Sequence, residues 1–223
     1  MHHAPLASPP RPAALRTVLR AAAVLGLCSL LLLVLVAVEW RPLISADGDV
    51  SRTTHRWALA DPGFTQACRI LTDWVWDPVT MRLLVAAVAV WLVWRHADWW
   101  TVGWLVATAA LGTLLQQGLK AAVGRARPVW PDPVDSAHYA AYPSGHALTA
   151  TVVLGLLLWL LHRQGVRRVL WRAASAVAAL SVAGVGLTRI WLGVHWPSDV
   201  LGGWLLGGML VALAIAAQLR WRP

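Results

Sequence analysis

From Ala21 to Val38 the chain runs for 18 residues without a charge. That is about the shortest apolar helix that crosses a hydrocarbon core. Five further apolar stretches follow, near 79–95, 99–119, 147–161, 173–188 and 200–219, so the sequence predicts six spans. Backbone polar groups inside lipid must pair within their own segment, and stretches of this length do so as helices, which predicts an all-α six-helix bundle. The second span is the most interrupted: only Leu83 to Trp94 is free of charge, so Arg82 has to snorkel to the interface. The first run, preceded by Arg11, Arg16 and Arg20, also resembles a signal peptide. Its length and the spans that follow favour an uncleaved helix.

With 58% hydrophobic and 13% charged residues in 223, the composition is that of one integral membrane domain. We expect that domain over 21–223, after a Pro- and Ala-rich cytoplasmic tail over 1–20. His2 and His3 are read as incidental at a chain end. The net charge of +9 comes from 19 bases, all Arg except Lys120. Such a balance fits loops at a cytoplasmic membrane surface, which argues against a nucleic-acid partner. Six crossings put both termini on one side, and the short loop 162–172, with four Arg and no acid, assigns that side to the cytoplasm. Trp40, Trp94, Trp99, Trp100, Trp171 and Trp196 stand near span ends as an interfacial belt. Cys28 and Cys68 are read as small packing residues. The Gly-rich stretch 202–208 suits close packing within one bundle as well as between copies, which leaves the oligomeric state open.

Between the first two spans, Asp61 and Pro62 read as an N-cap and a first-turn proline, with Phe64, Cys68, Leu71 and Val75 recurring at helical spacing. An amphipathic interfacial helix on the outer leaflet is expected there.

The chemistry-bearing residues gather at the ends of the later spans, all on the outer side. Lys120, Arg127 and Arg189 are cations beside hydrocarbon, an expensive place for a charge without a partner. Ser144 and Gly145 lie in Pro143-Ser144-Gly145-His146, just before the apolar run that begins at Ala147. Free N–H groups and the positive end of the helix dipole suit an oxyanion there. His195 and Asp199 are four apart around a helix start at Pro197 or Ser198, a spacing that can bring the carboxylate onto one imidazole nitrogen and fix the tautomer. A metal held by His146, His195 and Asp199 is the rival reading. Three cations beside one acid repel a divalent ion and suit a phosphate dianion, and Asp132 and Asp135, in a Pro-rich loop, are read as solvated.

These three stretches resemble the signature of the type 2 phosphatidic acid phosphatase (PAP2) superfamily, which also includes the vanadium haloperoxidases. Lys120 is followed after six residues by Arg127-Pro128, Pro143-Ser144-Gly145-His146 is intact, and Arg189, His195 and Asp199 complete the pattern. Thr188 stands where the family pattern has serine. The resemblance implies a helical bundle in which His195 attacks phosphorus to form a phosphohistidine, Asp199 orients it, and His146 protonates the leaving oxygen. Lys120, Arg127, Ser144, the Gly145 N–H and Arg189 would bind the phosphoryl oxygens, with no metal or other cofactor.

The expected function is that of a lipid phosphate phosphatase, in a bacterial cytoplasmic membrane with its site on the outer face. Candidate substrates are phosphatidic acid, phosphatidylglycerol phosphate and undecaprenyl diphosphate. A phosphotransferase differs only in the acceptor. A non-catalytic lipid-phosphate binder or flippase would use the cations without needing two histidines. Haloperoxidase activity is disfavoured by the six spans.

Overall fold

The computed structural model describes residues 11–221. They form α1 (Arg11–Ala37), α2 (Arg41–Ala60), α3 (Pro62–Ile70), α4 (Pro78–His96), α5 (Trp99–Val123), α6 (Gly145–Arg163), α7 (Arg168–Trp191) and α8 (Pro197–Trp221). A π-helical turn, Leu71–Val75, follows α3. No strand occurs among the described residues. Six segments are long and apolar enough to cross a membrane: Pro12–Ala37, Pro62–His96, Trp99–Val123, Gly145–Arg163, Arg168–Trp191 and Pro197–Trp221.

The number of spans is the one expected, but several helices are longer than their uncharged runs. A polar or basic side chain near a helix end can reach water while its backbone stays in the ladder. Thus α7 takes in Arg168 at its start; Arg189 near its end is instead buried and meets protein partners, and α6 starts at Gly145. Residues 11–20, expected as tail, are the first turns of α1; residues 1–10, with His2 and His3, lie outside the described residues. Several helix starts are set by aspartates. Asp61 Oδ1 accepts from the Phe64 N–H at 2.9 Å, Asp77 Oδ1 from Val79 at 2.7 Å and Asp98 Oδ1 from Thr101 at 3.0 Å, each satisfying a donor that the first turn leaves free.

Half of the most apolar stretch of α6 and of α8 is buried, against 17–28% in the other four spans, so these two helices form the centre. Leu148, Val152, Leu156 and Leu160 of α6 recur every fourth residue and meet Leu206 and Leu210 of α8, Leu105 of α5 and Val85 of α4. α1 lies along α8, and α7 packs on α6. The central pair approaches closely because α8 offers glycines: a Cβ at Gly203 would stand 2.7 Å from the Ser144 carbonyl oxygen, and one at Gly207 2.7 Å from Thr151 Cβ. The Gly-rich stretch therefore works at these positions inside one bundle.

Outside this core the polarity is reversed. Leu27, Leu30 and Leu31 of α1 are exposed, as are Ile44, Val50, Trp57 and Leu59 of α2, whereas α2 buries Asp47, Ser51 and His55. Cys68 packs with Leu192 and Val194. Cys28 departs from the packing role expected of it, being exposed on α1, and both thiols are free.

Replacing Gly203 by Ala forces a methyl against the backbone carbonyl of Ser144 and is expected to destabilise the protein by about 1–3 kcal/mol. Gly118, with open space around it, is expected to gain up to about 1 kcal/mol on the same change through helix propensity. Thermal unfolding of the two variants in detergent checks the contrast.

Candidate active site

The α7–α8 connection carries the first imidazole. Gly193 has a positive φ of 67°, and its carbonyl accepts from the Trp130 indole at 2.9 Å. His195 is 2% exposed and Asp199 wholly buried. His195 Nδ1 lies 3.3 Å from Asp199 Oδ2, which also accepts from the Trp196 N–H at 2.9 Å. On the other side of the ring, Arg127 Nη1 is 3.1 Å from His195 Nε2. A guanidinium only donates, so Nε2 is the acceptor and Nδ1 carries the proton. Burial, followed by the charges of Arg127, Arg189, Lys120 and Arg125, holds the His195 pKa well below the usual imidazole value. The ring is therefore neutral, with its lone pair on Nε2.

The cations come from three segments. Lys120, in the last turn of α5, is 8% exposed and donates to the Ala140 carbonyl. Arg127 is pinned by backbone oxygens: Nε to Tyr139 at 2.9 Å, Nη2 to His138 at 3.0 Å and Nη1 to Val194 at 2.5 Å. Its pKa is drawn down to about 10 by burial and by Arg189, partly offset by Asp199, and it remains charged at neutral pH. Arg189, at the end of α7, is buried, with Nη1 3.5 Å from Thr72 Oγ1 and 3.8 Å from Asp135 Oδ2. Its Nε has no partner.

Ser144 immediately precedes α6, and its N–H donates to the Asp199 carbonyl at 2.9 Å. Its side chain does not cap the helix; the hydroxyl is buried and unpartnered. Gly145 opens the helix beside it, where first-turn N–H groups have no intrahelical acceptor. His146 lies within electrostatic range of Arg189, His195, Arg127 and Lys120, and its Nε2 is 3.9 Å from Asp77 Oδ2. Thr188 Oγ1 donates to the Val185 carbonyl at 2.9 Å.

The residues singled out in the sequence thus meet at one end of the bundle. Arg189 Nε and Ser144 Oγ are buried polar atoms that water does not reach, and such atoms call for a partner. An anion with several oxygens suits the site. Among the described residues no three His, Cys, Asp or Glu side chains form a ligand set. Asp135, expected to be solvated, turns toward Arg189, because a buried guanidinium draws in the nearest carboxylate.

The sequence reading missed the groups behind Asp199. Arg125 Nη1 donates to Asp199 Oδ1 at 2.6 Å and to Ser198 Oγ at 2.7 Å, while its Nη2 reaches Asp47 Oδ2 at 2.7 Å. Asp47 Oδ1 in turn accepts from the Ser198 N–H at 2.9 Å. Two residues before Arg127, Arg125 was legible only as one more outer base. Asp47 had no signal beyond its four-residue spacing from Ser51 and His55.

The PAP2 superfamily sequence model matches residues 101–223. The chain is 32% identical over 105 residues to phosphatidylglycerophosphatase B of Bacillus subtilis, covering 45% of this chain and 49% of that protein. It is 32% identical over 129 residues to a lipid A 1-phosphatase of Rhizobium etli (52% and 51%). Over 89 residues it is 40% identical to a putative undecaprenyl-diphosphatase of Escherichia coli (38% of each). The chain thus spans about half the length, or less, of these curated relatives. The crystal structure of a transmembrane PAP2-type phosphatidylglycerolphosphate phosphatase from Bacillus subtilis shares the fold, with a TM-score of 0.78 at 23% identity over 90% of this chain and 98% of the other.

His195, and likewise His55, whose pKa is lowered chiefly by burial against a smaller opposing effect of Asp132, resist protonation in the folded chain. The unfolded chain takes up those protons near pH 6.5, so their stabilising contribution is complete above that value and is lost as pH falls below it. The midpoint of thermal unfolding is expected to drop between pH 7 and pH 5, and less steeply in His195→Gln.

Proposed function

The chain belongs to the PAP2 superfamily and is an integral membrane protein, and from that premise we propose that it is a lipid phosphate phosphatase working through a phosphohistidine on His195. The observation that carries this reading is the buried His195, held between Asp199 at Nδ1 and Arg127 at Nε2, near two further cations and two unpartnered buried groups, Arg189 Nε and Ser144 Oγ.

In the proposed reaction the phosphoryl group takes the place of His195 against Arg127. Its oxygens lie on Lys120, Arg127, Arg189, Ser144 and the Gly145 N–H. The Nε2 lone pair forms the N–P bond, the P–O ester bond breaks, and His146 gives its proton to the leaving oxygen. Asp199 accepts the Nδ1 proton in a hydrogen bond and supports the positive charge growing on the ring. The phosphate dianion, with Asp77 nearby, offsets the surrounding cations so that His146 can hold that proton. Water then attacks phosphorus and gives a proton to His146, the N–P bond breaks with its electron pair returning to Nε2, and inorganic phosphate leaves. Phosphoryl transfer asks mainly for positioning and charge stabilisation, which these side chains supply without a metal.

The substrates proposed are phosphatidic acid, phosphatidylglycerol phosphate or undecaprenyl diphosphate; the names of similar proteins support the second and third. Because the Arg-rich loop 162–172 suits the cytoplasmic side, we place the termini and residues 1–20 in the cytoplasm of a bacterium, residues 21–223 as one membrane domain, and the site at the outer leaflet. The apolar exposed side of α2 and the exposed Phe64 of α3 fit an amphipathic segment at that interface.

Purified protein in detergent is expected to release inorganic phosphate from one of these lipids without an added acceptor. His195→Ala should bring release to background, and His146→Ala should slow it roughly 10²–10⁴-fold. Release that survives His195→Ala would falsify the covalent route, and phosphate appearing only with a lipid or sugar acceptor would make the protein a transferase.

EDTA is expected to leave the rate unchanged, and vanadate, which adopts the five-coordinate geometry of the reacting phosphorus, to inhibit. Loss of activity in EDTA with recovery in magnesium would overturn the metal-free mechanism.

A further inference from the structure

The segment between the first two spans sends one buried acid toward the nucleophile. Asp47, on α2, is 3% exposed, and Asp199 has no exposure at all. Between them stands Arg125, 2.7 Å from one carboxylate and 2.6 Å from the other. Ser198 closes the group: its N–H donates to Asp47 Oδ1 and its hydroxyl to Asp47 Oδ2, so α2 caps the start of the very helix that carries Asp199.

One guanidinium would suffice to pair Asp199. Two carboxylates sharing it leave one negative charge in excess, and this excess lies directly behind the imidazole. When His195 Nε2 bonds to phosphorus the ring gains positive charge while Lys120, Arg127 and Arg189 already oppose it. Arg125 on its own would add a fourth opposing cation, and the Asp47 carboxylate cancels it. We propose that Asp47, acting through Arg125 and Ser198, is a positioning residue for the phosphoryl transfer, holding Asp199 against His195 and keeping its charge available to the ring. It touches neither substrate nor the reacting atoms. The inference rests on the reading of His195 as the nucleophile.

The test compares Asp47→Asn with the wild type in detergent for phosphate release, vanadate inhibition and thermal unfolding. A charge-assisted hydrogen bond lost behind the reacting group is expected to lower kcat by roughly 10–100-fold. KM and the vanadate inhibition constant, which report the phosphate-binding cations, should stay within about twofold, because the phosphate contacts are untouched. In this variant Arg125 still pairs with Asp199, but its second carboxylate is gone and its charge opposes the ring; a purely structural contact would instead lower the unfolding midpoint and raise KM together with the fall in kcat. If Asp47→Asn does not fold, Asp47→Glu, which keeps the charge but displaces it, takes its place with the same expected split between kcat and KM. An active wild type with an unchanged kcat in the folded variant overturns this inference alone. A wild type that releases no phosphate, or a His195→Ala variant that still does, overturns the nucleophile reading and this inference with it.

Discussion

A buried carboxylate beside hydrocarbon tolerates the loss of water only where protein donors replace it. Asp199 takes such donors from Arg125, from the Trp196 N–H and from His195. Its own backbone carbonyl accepts from Ser144. One residue therefore joins the start of α8, the loop after α5 and the start of α6. His146 stands in the first turn of α6 and His195 just ahead of α8, and the glycine-lined contact between α6 and α8 sets the spacing of those two helices. A change that separates these helices would move His195 away from Ser144 and His146 before it altered any of these groups.

The rest of the architecture answers the cost of collecting cations at a bilayer edge. Lys120 and Arg127 are held by carbonyl oxygens of the loop 124–144, which is itself tied down by the Arg69 guanidinium on the Val134 carbonyl and by Trp130 on Gly193. Carbonyls satisfy a cation's hydrogen bonds without cancelling its full charge, so the positive field of these side chains survives. Arg125 is different in kind: it is neutralised by two carboxylates and belongs to the support of Asp199.

Much of this was legible in the sequence where position along one helix carries the information. Six apolar runs gave six spans, and Asp61-Pro62 gave the N-cap of α3. The spacing of His195 and Asp199 anticipated the bond between them. What failed to show was contact between distant segments. Asp47 and Arg125 are 78 residues apart, and α2 is built with its polar side inward and its apolar side outward, so a search for an apolar core face passes over the buried acid. Asp135 looked like a solvated loop residue because its partner, Arg189, lies on another helix.

The amino-acid order by itself determined which stretches are helices, that they are long and apolar enough for lipid, and which residue types stand at their ends. Those properties follow from desolvation of the backbone and from helical periodicity, both of which act within a few turns of chain. Only the tertiary structure decided which of several bases at the span ends gather near His195 and which one pairs with both Asp47 and Asp199. That distinction depends on the groups each guanidinium meets across the bundle, and on the glycines that let two helices come close enough to share them.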